Sequence, residues 1–147
     1  LTADAAYAKL LSSTEREMSQ PKMKVGPTGE KRWTLNGNLH REDGPAIEWP
    51  DGEKQWYLNG KLHREDGPAL EYADGGKDWY LNGKLHREDG PAIESDGGKE
   101  WYLNGNLHRE DGPAIEYADG QKEWYLNGEE YSFEDYIAEL ERLVPQR

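Results

Sequence analysis

Short runs of alternating bulky and polar residues recur along residues 21–131, and turn residues separate them. Stretches such as Pro113 to Tyr117 and Lys122 to Leu126 alternate with period two and read as strands. Asn-Gly stands at Asn36-Gly37, Asn59-Gly60, Asn82-Gly83, Asn104-Gly105 and Asn127-Gly128. Both residues of that pair tolerate positive φ, which makes it the strongest short hairpin signal. Asp-Gly marks a second turn at Asp51-Gly52, Asp74-Gly75, Asp96-Gly97 and Asp119-Gly120, with Thr28-Gly29 as its degenerate first copy. Pro45, Pro68, Pro91 and Pro113 sit where a strand would begin, a place that tolerates the missing N–H. The pattern predicts a mainly β chain: an elongated antiparallel β-hairpin array.

Alternation also assigns faces. In Trp124-Tyr125-Leu126, Trp and Leu share one face and Tyr takes the other. In Ala114-Ile115-Glu116-Tyr117, Ile and Tyr oppose Ala and Glu. The expected buried face joins Trp, Leu, Ile or Leu, and the second Tyr of each unit. The opposite face then carries Tyr57, Tyr80, Tyr102 and Tyr125 beside Ala and Glu, an aromatic-lined groove if the sheet curves.

The ends change period. Residues 2–19 read as one helix, with Thr2 as N-cap and a stripe of Ala3, Tyr7, Leu10, Leu11, Thr14 and Met18. Ser132-Phe133-Glu134-Asp135 resembles a capping box with Asp in place of Glu. Phe133, Tyr136, Ile137, Leu140, Leu143 and Val144 form an apolar stripe that Pro145 stops. The chain therefore divides into an N-terminal helix (1–20), a hairpin array (21–131) and a C-terminal capping helix (132–147). Repeat arrays have open ends, so both helices are expected to cover sheet edges. Uncovered edges would allow self-association.

The array is a strict repeat. Trp recurs at 33, 56, 79, 101 and 124, in steps of 23, 23, 22 and 23. His recurs at 40, 63, 86 and 108, and the chain has no other histidine. One unit runs Trp56-Tyr57-Leu58-Asn59-Gly60-Lys61-Leu62-His63-Arg64-Glu65-Asp66-Gly67-Pro68-Ala69-Leu70-Glu71-Tyr72-Ala73-Asp74-Gly75. The short step falls at Ser95-Asp96-Gly97, one residue fewer than Tyr72-Ala73-Asp74-Gly75.

This period, with Trp-x-x-Asn-Gly-Lys-x-His followed by Tyr-Ala-Asp-Gly, resembles the MORN repeat over roughly residues 24–131. The Asn-Gly-x-Leu-His-Arg-Glu-Asp-Gly-Pro-Ala form looks like the variant of bacteriophages, bacteria and large viruses, and is similar to YwqK-type antitoxin repeats. Arg64-Glu65-Asp66 departs from the family pattern, which has Gly directly after the His. The resemblance implies a β-hairpin array used as a scaffold or protein-binding surface and does not imply an enzyme activity; some eukaryotic members are linked to membranes or phosphoinositides.

Composition narrows the function. Leu, Ile, Val and Phe supply only 22 of 147 residues, a level usually found in disordered chains, but 6 Trp and 9 Tyr replace the missing apolar surface. The net charge of −12 disfavours direct contact with nucleic acid or anionic lipid. Cysteine is absent, which excludes disulfides and thiol chemistry. No apolar run approaches the roughly 20 residues of a membrane span, and no leader pattern is visible. The sequence opens on Leu1 in place of Met, as a trimmed chain would. A cytoplasmic protein of a bacterium or a phage-infected cell is the expectation.

The repeated His-Arg-Glu-Asp is the main chemical candidate. His and carboxylates can ligate metal or share protons. Equivalent groups in neighbouring units should stand about 10 Å apart, too far to share one ion. Four identical sites would follow, so a structural role in the turns is favoured, with no metal and no cofactor. His40, Arg41, His63, Arg64, His86, Arg87, His108 and Arg109 remain candidates for holding a small anion. No P-loop or dinucleotide motif occurs, and no Ser has a neighbouring His. Tyr57, Tyr80, Tyr102 and Tyr125 are the candidate partner contacts, against ordinary packing.

The reading that follows is a non-enzymatic interaction protein that binds and inhibits another protein, of antitoxin or anti-defence type. A sequestering module for a nucleotide or small anion is the alternative. An acidic mimic of nucleic acid and a membrane-linked scaffold come after it.

Overall fold

The computed structural model describes residues 12–143 and 145. It is mainly β, an array of antiparallel hairpins with helix α1 (Ser13–Ser19) before it and helix α2 (Phe133–Leu143) after it. Each middle unit works at two levels. Pairs such as Ile47–Glu48 and Lys54–Gln55 add two strands to one continuous sheet. Tyr57–Leu58 and Lys61–Leu62 then form a separate hairpin. In the first and last units a single strand runs through both levels, Lys31–Leu35 and Lys122–Leu126.

The second level is also continuous, through main-chain bonds between units. The amide of Arg41 donates to Tyr57 O at 3.1 Å, and that of Gly60 to Leu39 O at 2.8 Å. The same two bonds join Arg64 to Tyr80 and Gly83 to Leu62. Every Asn-Gly turn has Asn at φ between 50° and 52° and Gly near 80°, as in Asn59 (51°) and Gly60 (78°). That pair of positive angles is the type I′ geometry that matches strand twist.

The missing residue near Ser95 has a local outcome. Elsewhere the turn holds three residues, with Tyr72 N bonded to Gly76 O at 2.9 Å across Ala73-Asp74-Gly75. Here Ser95 pairs directly with Gly98 across Asp96-Gly97, and the ladder gains a pair on each side. Gly98 has φ 141°, and a Cβ there would lie 2.1 Å from Glu116 O. Only glycine lets the two strands approach at this point.

The register corrects the expected faces. Arg32, Ile47, Gln55, Leu70, Asp78 and Ile93 are successive cross-strand partners, continuing through Glu100, Ile115 and Glu123. They share a face with the tyrosines two residues further along. The other ladder alternates Lys31, Glu48, Lys54, Glu71, Lys77 and Glu94, then Lys99, Glu116 and Lys122. So Ile and Leu belong with Tyr57 and its equivalents, and Ala and Glu belong with Trp. Alternation holds within each strand. The relative register of the two strands differs by one residue from the expected pairing, which inverts one of them.

Both sides of the strands contribute to the core. Ala46, Ala69, Ala92 and Ala114 have no exposed surface, and Ile47, Leu70 and Ile115 are nearly as buried. Tyr72 and Tyr117, expected inside, are exposed, because they close the outer turns. The strands begin two residues after each proline, at Ile47, Leu70, Ile93 and Ile115. The proline carbonyls serve another purpose, described below.

The N-terminal helix is also corrected. Ser12 has extended backbone (φ −62°, ψ 162°) and caps α1 in a reciprocal box with Glu15. The expected helix over 2–19 is therefore not continuous through Ser12: the described helix starts at Ser13, since the cap residue has non-helical backbone. Thr2, Ala3, Tyr7, Leu10 and Leu11 lie outside the described residues. At the other end, Ser132 Oγ accepts the amide of Asp135 at 3.1 Å, as the capping pattern predicts. Phe133 packs against Trp124 with ring centroids 5.3 Å apart and planes tilted by 58°, and Tyr136 is buried. Helix α2 covers the last hairpin.

Candidate interaction surfaces

The His-Arg-Glu-Asp turns are built the same way in every unit. The guanidinium carbon of Arg64 lies over the Trp56 ring, 3.9 Å from its centroid. Its Nε donates to Asp66 at 3.1 Å, and its Nη1 donates to Pro68 O at 3.1 Å and Glu71 at 3.0 Å. Arg41, Arg87 and Arg109 repeat this on Trp33, Trp79 and Trp101, at 3.8–3.9 Å. Stacking and forked hydrogen bonding together need a planar guanidinium. Each arginine is about four-fifths buried and already holds two carboxylates. An incoming anion would compete with the chain's own Asp and Glu.

Histidine joins one unit to the next. The Nδ1 atoms of His40, His63, His86 and His108 accept the amides of Asn59, Asn82, Asn104 and Asn127, each at 2.9 Å. An acceptor at Nδ1 puts the ring proton on Nε2. Nε2 faces the glutamate two residues on, from 3.3 Å at Glu110 to 3.7 Å at Glu42. Among the described residues, no three His, Asp or Glu side chains converge where a metal ion could sit. The eight His and Arg candidates thus come together in pairs within each turn, tied into the repeat's own hydrogen bonds.

Tyr57, Tyr80, Tyr102 and Tyr125 form a row on the opposite face, each half-buried. Tyr57 donates its hydroxyl to Gln55 at 3.0 Å, Tyr102 to Glu100 at 2.9 Å and Tyr125 to Glu123 at 3.2 Å. Asp78 is too short to repeat this and accepts from Tyr72 instead, at 2.9 Å. Burial, followed by these carboxylates, raises Tyr102 and Tyr125, the latter to about 12, and burial raises Tyr57 and Tyr80 as well. The row stays neutral at any physiological pH. It presents flat aromatic surface interrupted by acidic groups.

Between successive turns lie three open grooves, of about 720, 750 and 600 Å³ from first to third. The middle one runs between Arg64–Pro68 and His86–Asp89, with Trp79 and Leu81 beneath. Sequence reasoning missed these grooves and the Arg–Trp stacks that wall them. The signal was present: in four units Arg follows Trp by eight residues, as at Trp56 and Arg64. At Trp124 that position is Ser132, and Phe133 supplies the lid instead.

Comparison with protein-family models, with curated proteins and with solved structures finds no match. No helix among the described residues is long and apolar enough to cross a membrane.

Proposed function

We propose that the chain is a non-enzymatic, MORN-like interaction module that binds another protein and inhibits it, as an antitoxin or anti-defence factor does. The observation that carries this reading is the tyrosine row: four phenols aligned on one face and half-exposed, three of them held by hydroxyl partners. Rigid aromatic side chains give large contact area at little entropic cost, and dominate many protein interfaces. The guanidiniums and imidazoles of the turns are committed to the repeat itself, which leaves contact rather than chemistry to the surface.

The test is capture from bacterial lysate on the tagged chain, with mass spectrometry of the bound material. One enriched protein is expected, lost when Tyr57, Tyr80, Tyr102 and Tyr125 are all replaced by Ala while the circular-dichroism spectrum is kept. Single Tyr→Ala variants serve if the fourfold variant unfolds. Unchanged capture by these variants would overturn the tyrosine assignment.

A second reading has one observation in its favour. The grooves fall within the roughly 300–1,000 Å³ of small-molecule sites. A nucleotide or small anion sequestered there would give heat in calorimetry. It ranks below protein binding because every guanidinium already carries its own carboxylates.

A further inference from the structure

The array contains four equivalent turns, and its own C-terminal helix fills the last one. Tyr136 of α2 donates its hydroxyl to the carbonyl of Arg109 at 2.8 Å and accepts the amide of Gly112 at 3.2 Å. Tyr136 is 2% exposed, and Leu126, the last unit's counterpart of Leu58, Leu81 and Leu103, is 3% exposed. Glu110 is screened as well, with its side chain at 34% exposure against 84% for Glu42, Glu65 and Glu88.

The other three turns offer the same pair of main-chain atoms. Among the described residues, the carbonyls of Arg41, Arg64 and Arg87 and the amides of Gly44, Gly67 and Gly90 make no hydrogen bond. They open onto the three grooves, whose floors hold Leu58, Leu81 and Leu103. The turns carry strongly exposed carboxylates at their rims, with Asp43, Asp66 and Asp89 at 86–88%. Their one positive charge, the arginine, is pinned under Asp and Glu. The grooves therefore pair a polar slot shaped for a phenol with a rim that attracts cations.

We propose that the three open grooves dock a basic segment of another protein that places one tyrosine in each. Each hydroxyl bridges an Arg carbonyl and the Gly amide three residues later, as Tyr136 does in the fourth turn. The inference rests on the reading of the chain as a protein-binding module, and it concerns the face opposite the tyrosine row. Units advance by two strands, about 10 Å. A segment in polyproline II conformation has three residues per turn and rises about 3.1 Å per residue, so every third side chain points the same way about 9 Å on. Such a segment would offer a tyrosine to successive grooves at every third residue, with lysine or arginine between to meet the rim carboxylates.

The probe is a nonapeptide of three Lys-Tyr-Lys repeats, titrated into the full isotope-labelled chain and followed by amide chemical shifts and calorimetry. The expected result is movement of the Gly44, Gly67 and Gly90 amides while Gly112, already occupied by Tyr136, stays still. A peptide with Phe for each Tyr should bind about tenfold more weakly, since the buried pair is left unmatched. The variant Asp43→Asn, Asp66→Asn, Asp89→Asn keeps an acceptor for each arginine and should also bind about tenfold more weakly. Still glycine amides, or equal affinity for the Phe and Tyr peptides, would overturn the proposal. Loss of tyrosine-row contacts with peptide binding intact would instead count against the function proposed above.

Discussion

His63 in one unit accepts, at Nδ1, the backbone amide of Asn82 in the next, 2.9 Å away. The bond reaches across 19 positions and ends on the first residue of a hairpin turn, so it fixes each turn relative to the turn before it. The same relationship holds at His40, His86 and His108. Repeat arrays are held by nearest-neighbour contacts, and this is one such contact in its simplest form.

Replacing His63 by Phe removes the acceptor and keeps the ring. The expected loss is about 1 kcal/mol in urea unfolding, the usual net value of one hydrogen bond. Amide exchange should accelerate at Asn82 and in the units on both sides. Exchange confined to one unit would show that the imidazole does not couple units.

Arg64→Lys tests the guanidinium. Lysine keeps the charge but cannot stack on Trp56 while reaching Asp66, Pro68 O and Glu71 together. A loss of about 1–2 kcal/mol is expected, with a change in the near-ultraviolet circular dichroism. Stability equal to the parent would mean that charge alone suffices.

Asp78 sets a pH dependence of opposite sign to most paired carboxylates. Burial raises its pKa above the ordinary value, with Glu100 adding to the shift and the Tyr72 hydroxyl opposing it. Its charged form is thus disfavoured in the fold. The penalty is full above the raised folded value, shrinks as pH falls through it, and vanishes below the ordinary unfolded value. Asp78→Asn should raise the thermal midpoint at pH 7 and lose that advantage in acid, as scanning calorimetry across pH would reveal.

Tyr136→Phe leaves Arg109 O and the Gly112 amide without their buried partner. A loss of about 1–3 kcal/mol is expected, with faster exchange in α2. Retained stability would mean that Phe133 on Trp124 suffices to seat the helix.

The repeat, both turn types, the antiparallel hairpins and the C-terminal cap were legible because they depend on near neighbours. Asn59-Gly60 needs only its own dihedral preferences, and Ser132 needs only Asp135. The helix start at Ser13 was not legible, because Ser12 and Glu15 form a cap inside a stripe that still reads as helical. The candidate residues were found, but their roles were hidden. Arg64 looked available for an anion until Trp56, Asp66 and Glu71 were seen to surround it.

Residue order by itself determined the period, the strand alternation and the turn geometry, all of which follow from local sterics and spacing. Only the tertiary structure decided which strand face met which. Across the six residues from Arg64 to Ala69 nothing local sets the register, and a slip of one residue exchanges Leu70 for Ala69. The buried alanines, the Lys–Glu ladder, the Arg–Trp stacks and the open grooves all follow from that choice. They depend on partners five to twenty-seven residues apart, which the hydrogen bonds of the folded array bring together.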